Sequence, residues 1–200
     1  MKLERLGLTF LAGNARLSMF CNTNRGGEEM SSIDFDLFKT RYMWAKGKVV
    51  NGDLYTEAGT APAVVVLPYV EDIFTLVATK LLLLKQHRPE TGGFVIKTVG
   101  GYVKEGETPE ECVQRNLVAK LGIRARGMEC GGSTTGYTVV HVPIKYFFVN
   151  AWDVVGEPAN GCEKNALELN EAMALARSGQ LCDDATVIPI YDLALRLLRL

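Results

Sequence analysis

Glu105, Glu107, Glu110 and Glu111 crowd one short segment of the chain, and Arg115 follows. Grouped carboxylates are the oxygen donors that magnesium or manganese takes, and a divalent ion held against a diphosphate neutralises its charge and activates water for hydrolysis. Acids at a helix start also have a purely structural reading, because they complement the helix dipole without any ligand. Further along, positions 116, 119 and 120 are related by spacings of three and four, so on a helix their side chains share one face. They are Asn116, Ala119 and Lys120: an amide, a methyl and an ammonium. Asn116 is a weak ligand, Ala119 is none, and Lys120 repels a cation. At about 4 Å and an effective dielectric of about 20, two unit charges interact with about 4 kcal/mol, and a divalent ion doubles that. No magnesium is expected on that face.

The element that positions most of these groups is the best specified in the chain. Thr108 suits an N-cap, Pro109 the first helical position, and Glu111 completes a T-x-x-E capping box; Gly122 stops the helix. Cys112, Val113, Leu117 and Leu121 recur at helical spacing and are expected to face a sheet. Before the helix, Gly100, Gly101 and Gly106 permit a tight turn and close backbone approach. The runs AVVVLPYV at 63–70 and KLLLLKQHR at 80–88 read as neighbouring strands buried on both faces, with a further strand over 94–99. Strands are expected at 124–130 and 145–152, then a polar loop over 155–164 carrying Glu157 and Glu163, then helices near 169–178 and 185–198. Upstream, 6–11, 17–21, 33–38 and 41–44 are short β-favouring runs between Gly, Asn and Ser clusters, which suggests a small antiparallel region.

Composition narrows the functional classes. With 22 basic and 23 acidic residues and a net charge of −1, the chain shows no electrostatic footprint for a polyanion, so nucleic acid is not an expected partner. The longest apolar run, 73–84, is too short for a bilayer and contains Lys80, so no membrane span is expected. The opening MKLERLGLTFLAG reads as an edge strand rather than a leader. Five cysteines without a C-x-x-C pair fit reduced thiols and a cytoplasmic setting. His87 and His141 read as structural or exposed histidines, and no Ser/His/Asp order is evident.

The segment 101–123, GYVKEGETPEECVQRNLVAKLGI, resembles the Nudix box, G-x5-E-x7-R-E-U-x-E-E-x-G-U with U a bulky aliphatic. It matches at Gly101, Glu107, Arg115, Leu117, Gly122 and Ile123, and departs at Asn116, Ala119 and Lys120, where the pattern has glutamates. KQHRP at 85–89 and EAMALARSGQLCDDATVIPI at 171–190 are similar to segments of the ADP-ribose and nucleotide-sugar pyrophosphatase branch of that family. Where those relatives carry E-L-P-A-G ahead of the box, this chain carries Lys97, Thr98, Val99, Gly100 and Gly101.

The resemblance implies an α/β fold, an α/β/α sandwich around a mixed sheet, over 59–200. It also implies an N-terminal antiparallel β subdomain over 1–58, often the seat of a homodimer. Arg88 matches an arginine that lies at the nucleotide site in relatives, and Glu157 or Glu163 falls where the late catalytic acid would be. The expected function is that of a Nudix-fold protein with metal-dependent hydrolysis lost or weakened. It would retain a nucleoside diphosphate-type ligand at Arg88, Lys97, Gly101 and Lys120 and need no cofactor. One alternative is an active magnesium- or manganese-dependent pyrophosphatase using Glu107, Glu111 and Arg115. Another is a non-catalytic dimeric scaffold.

Overall fold

The computed structural model describes residues 19–22, 32–50, 53–71, 79–88, 92–135, 140–181 and 183–198. These residues fall into two compact units, one within Met1–Ala61 and Thr135–Pro143, the other within Pro62–Thr134 and Ile144–Leu200.

In the first unit, β1 (Met19–Asn22), β2 (Ser32–Lys39), β3 (Met43–Val50) and β4 (Asp53–Thr60) form an antiparallel meander, the region that the short β-favouring runs suggested. The expected strand at 6–11 lies outside the described residues. Strand β3 begins later than the run 41–44 implied, because Thr40 turns the chain back: its hydroxyl accepts from the Tyr42 and Met43 amides. Strand β4 carries few apolar residues and has no clear periodic signal; its pairing with β3 across Val50↔Asp53 to Met43↔Thr60 defines it. Inside that ladder Gly59 is required, since a Cβ there would lie 2.5 Å from the Trp44 ring.

The second unit is built on β5 (Ala63–Val70), β6 (Lys80–Arg88), β7 (Gly93–Lys97) and β8 (Val99–Tyr102). Helix α1 (Pro109–Leu121) comes next, followed by β9 (Ile123–Ala125) and β10 (Glu129–Thr135). Strand β11 (Val140–His141) returns to the first unit and pairs in parallel with β4. Then come β12 (Pro143–Val149), β13 (Trp152–Val154), β14 (Cys162–Glu168), α2 (Leu169–Arg177) and α3 (Asp184–Leu197).

The central sheet runs β10-β12-β5-β6-β14, with β7 on β6 and β8 on β5. It is mixed, because β12 lies parallel to β5 while β6, β7, β8 and β14 pair antiparallel. The apolar run of β5 is buried from Val64 to Pro68, as a strand covered on both faces requires. On one face α1 packs Cys112, Val113, Leu117 and Leu121 against Val64, Val66, Leu84, Val99 and Phe147. On the other, α2 and α3 pack Leu169, Ala172, Ile190 and Leu193 against Leu67, Leu81, Leu83 and Phe148. The result is the expected α/β/α sandwich.

Three local expectations need correction. The single strand expected over 94–99 is two strands broken at Thr98, whose amide donates to Thr186 Oγ1 at 2.9 Å and whose hydroxyl donates to the Ala185 carbonyl at 3.0 Å. The single strand expected over 124–130 is likewise two, β9 and β10, and β10 runs on to Thr135; Gly131 and Gly132 are needed there because a Cβ on either would lie under 3 Å from the Tyr146 ring. The polar stretch expected to remain loop until 164 becomes strand at Cys162, where pairing with Lys80–Gln86 of β6 defines it.

Candidate functional site

The loop into α1 is fixed by its own acids. Thr108 caps the helix by accepting from the Glu111 amide at 3.2 Å, and Glu111 Oε2 accepts in return from the Thr108 amide at 2.8 Å and hydroxyl at 2.9 Å. Bonding from the Thr108 amide and then its hydroxyl holds the Glu111 carboxyl below its ordinary value. Glu107 is bound more tightly still. Arg115 donates through Nε at 2.6 Å and Nη2 at 2.8 Å, one to each carboxylate oxygen, and the Lys104 amide adds a bond at 2.8 Å. The Arg115 fork first, and then the Lys104 amide, brings the Glu107 pKa down to about 2. Arg115 also donates to the Tyr102 carbonyl at 3.1 Å, so the pair fastens the loop to the end of β8.

One turn into the helix the chemistry changes. Asn116 is buried, with 4% of its surface exposed, and its Nδ2 donates to the Cys112 carbonyl at 2.8 Å. It packs directly under Gly101, where a Cβ would lie 2.6 Å from Asn116 Oδ1. Ala119 is exposed, and its carbonyl accepts from the Ala159 amide at 3.0 Å. Lys120 reaches back from α1 to β8, and its Nζ donates to the Gly100 carbonyl.

Strand register places the other cations. Lys97 pairs with Leu84, Val95 with Gln86 and Gly93 with Arg88, while Cys162 of β14 pairs with Gln86 from the other side. Directly paired residues in an antiparallel sheet point to one face, and alternate residues share it. Leu84 and Cys162 pack with α1, so Arg88 and Lys97 belong to the α1 face as well. Burial lowers the Lys97 pKa, and Arg88 and then Lys120 push it the same way. Burial also lowers that of Lys120, with Arg88 and Arg115 adding to the effect. Arg88, Lys97 and Lys120 therefore converge from three elements on one place.

The late acids do not join them. Glu163 pairs with Lys85, an odd position of β6, and so faces the opposite side of the sheet, where Lys85 Nζ holds it at 3.0 Å. Glu157 is exposed in the segment between β13 and β14. His87 stacks edge-on against Phe94 at 5.3 Å on the face away from α1, and His141 stacks on Trp44 at 6.5 Å in the first unit. Sequence reasoning named the cations but missed the backbone acceptor of Lys120 and the placement of Cys162 beside them. Both depend on pairings between distant segments, for which no local signal exists.

A sandwich of this topology, with a glycine-led turn and a Glu–Arg pair opening the helix beneath the sheet, matches a known class. The NUDIX domain model fits residues 60–183, and the chain belongs to that family. Among curated proteins, ADP-sugar pyrophosphatase of Mus musculus is 33% identical over 96 residues, a stretch covering 46% of this chain and 43% of that protein. The chain thus spans less than half the length of that relative. Among solved structures, an ADP compounds hydrolase superposes with a TM-score of 0.62 at 14% identity, covering 94% of this chain and 98% of that one. That likeness bears on the fold alone. No helix among the described residues is long and apolar enough to cross a membrane.

Nudix hydrolases work with magnesium or manganese, which require several converging oxygen donors. Both oxygens of Glu107 are engaged by Arg115, Glu111 is turned to the helix cap, and the face below carries Asn116 and the Lys120 ammonium. Among the described residues no group of three or more His, Cys, Asp or Glu side chains is arranged to hold a metal ion. The residues present do not fit such a metal at this helix.

Proposed function

We propose that this chain is a Nudix-fold binding protein for a nucleoside diphosphate-type molecule, with metal-dependent hydrolysis lost or strongly reduced. The observation that carries this reading is the Lys120 ammonium donating to the Gly100 carbonyl, on the helix face where the Nudix pattern places glutamates. Arg88 and Lys97 stand with it, so the face offers fixed positive charge to phosphate oxygens. The pyrophosphatase relative supports the ligand class, since the substrate in its name is an ADP-sugar. We further propose that residues 1–58 form a subdomain through which the protein dimerises, and that it works in the cytoplasm.

An active pyrophosphatase would have to recruit Glu107 and Glu111, and Glu107 is already engaged through both oxygens by Arg115 and Lys104, while Glu111 is held to the helix cap through Oε2 by Thr108. The test is turnover of ADP-ribose and nucleotide sugars with magnesium or manganese, run beside a thermal-shift screen of the same compounds. Stabilisation without turnover is the expected result. Metal-dependent turnover abolished by Glu107→Gln or Glu111→Gln would overturn the reading in favour of the enzyme. Stabilisation by none of the nucleotides would favour a scaffold.

A further inference from the structure

Resting on the reading that a sugar diphosphate occupies the α1 face, we propose that Lys97 is an amine nucleophile there, condensing with the aldehyde of a reducing sugar phosphate to form an imine. The two lysines of the site differ in what holds them. Lys120 is anchored, one of its three ammonium donors given to the Gly100 carbonyl. Lys97 is partly buried and, among the described residues, has neither an acceptor for its Nζ nor a carboxylate within ion-pair distance. The charged and titratable groups acting on it come from four directions: Arg88 on β6, Lys120 on α1, Asp183 ahead of α3 and Cys162 on β14. Of the fixed charges acting on it, Arg88 and Lys120 lower its pKa and Asp183 raises it.

An ammonium withdrawn from water without a partner is costly, and shedding its proton relieves that cost. A lysine desolvated beside another cation is the arrangement that makes an amine nucleophilic at neutral pH. Burial, with Arg88 and Lys120 adding to it, lowers the Lys97 pKa accordingly. Position is secured as well. The next residue, Thr98, is buried and bonded to Thr186 and Ala185 at the start of α3, so the Lys97 backbone is fixed. Arg88 and Lys120 are placed to hold the phosphate that brings the sugar.

In the condensation the neutral Nζ lone pair attacks the carbonyl carbon of the ring-opened sugar. The C=O π pair moves to oxygen, and a proton passes from nitrogen to that oxygen. The resulting carbinolamine loses water to give a C=N bond, with no net oxidation or reduction. ADP-ribose and ribose 5-phosphate have such a masked aldehyde; ADP has none.

The experiment treats the whole protein with ribose 5-phosphate or ADP-ribose in the presence of cyanoborohydride, which reduces the imine to a stable secondary amine. Digestion and mass spectrometry then locate the adduct. Thermal shifts with ADP and ADP-ribose are recorded in parallel. Labelling is expected on Lys97 at about 10-fold or more over the exposed Lys80 and Lys164, and Lys97→Arg should abolish it while unfolding at a near-native temperature. Since the mapping uses the unaltered protein, it does not depend on how the variant folds. Labelling spread evenly over exposed lysines, or persisting in Lys97→Arg, overturns the proposal. Stabilisation by ADP and ADP-ribose without an adduct on Lys97 overturns the imine and leaves the binding reading standing. An adduct on Lys97 with no stabilisation by ADP does the reverse.

Discussion

Glu107 accepts three hydrogen bonds, two from the Arg115 fork and one from the Lys104 amide. Its pKa falls from the ordinary 4.5 to about 2 on folding, so the folded state favours the ionised form. A depressed carboxyl contributes stability that is complete above its unfolded pKa and is lost as pH falls towards the folded one. The urea midpoints of the native protein and Glu107→Gln should therefore differ by a constant amount above about pH 5 and converge between there and about pH 2. A gap independent of pH would show that Glu107 acts by shape alone. The neighbouring Gly101 is constrained by space rather than charge, since a Cβ there would collide with the buried Asn116 amide. Overpacking of this kind typically costs about 1–3 kcal/mol. Gly101→Ala should lower stability by that amount in denaturant unfolding, whereas Gly127→Ala, where nothing lies within 4 Å, should not follow it.

Helix α1 is legible in the sequence because its signals are local. Thr108, Pro109, Glu111 and Gly122 fall where the cap, first turn and stop require them, and Gly122 adopts φ 62° as a left-handed C-cap. Removing the cap hydroxyl in Thr108→Ala should cost about 1 kcal/mol, read as a lower urea midpoint with an unchanged slope. A loss below a few tenths would mean that Glu107 and Arg115 hold the loop without the cap. Strand β14 is not legible, for the opposite reason. Its residues CEKNALE carry almost no apolar alternation, and it is a strand only because β6 offers an edge from Lys80 to Gln86. The same register decides the site. The family resemblance offers Glu163, with Glu157, as a candidate acid, but the pairing of Glu163 with Lys85 turns it to the far side of the sheet. The helix face can be read from intervals of three and four, whereas the carbonyl meeting Lys120 lies 20 residues away in sequence.

For the molecule as a whole, a net charge of −1 conceals a local concentration of cations on the α1 face. If fixed ammonium and guanidinium groups hold the ligand, a chelator should leave both the melting temperature and the ADP-induced shift unchanged. Raising the salt from about 0.05 M to about 0.5 M should shrink that shift, since the Debye length falls across this range. A shift that vanishes in EDTA would restore a metal to the account. The route of the chain also bears on how the protein is made. The first unit's sheet takes Val140–His141 as its last strand, paired with Ala58 and Gly59 of β4. During synthesis β4 is made long before that partner, so Ala58 and Gly59 wait for it while the NUDIX-matched segment up to residue 139 is still emerging. An open strand edge is a template for intermolecular pairing. The nascent protein is thus open to intermolecular pairing at Ala58 and Gly59 until residue 141 has left the ribosome.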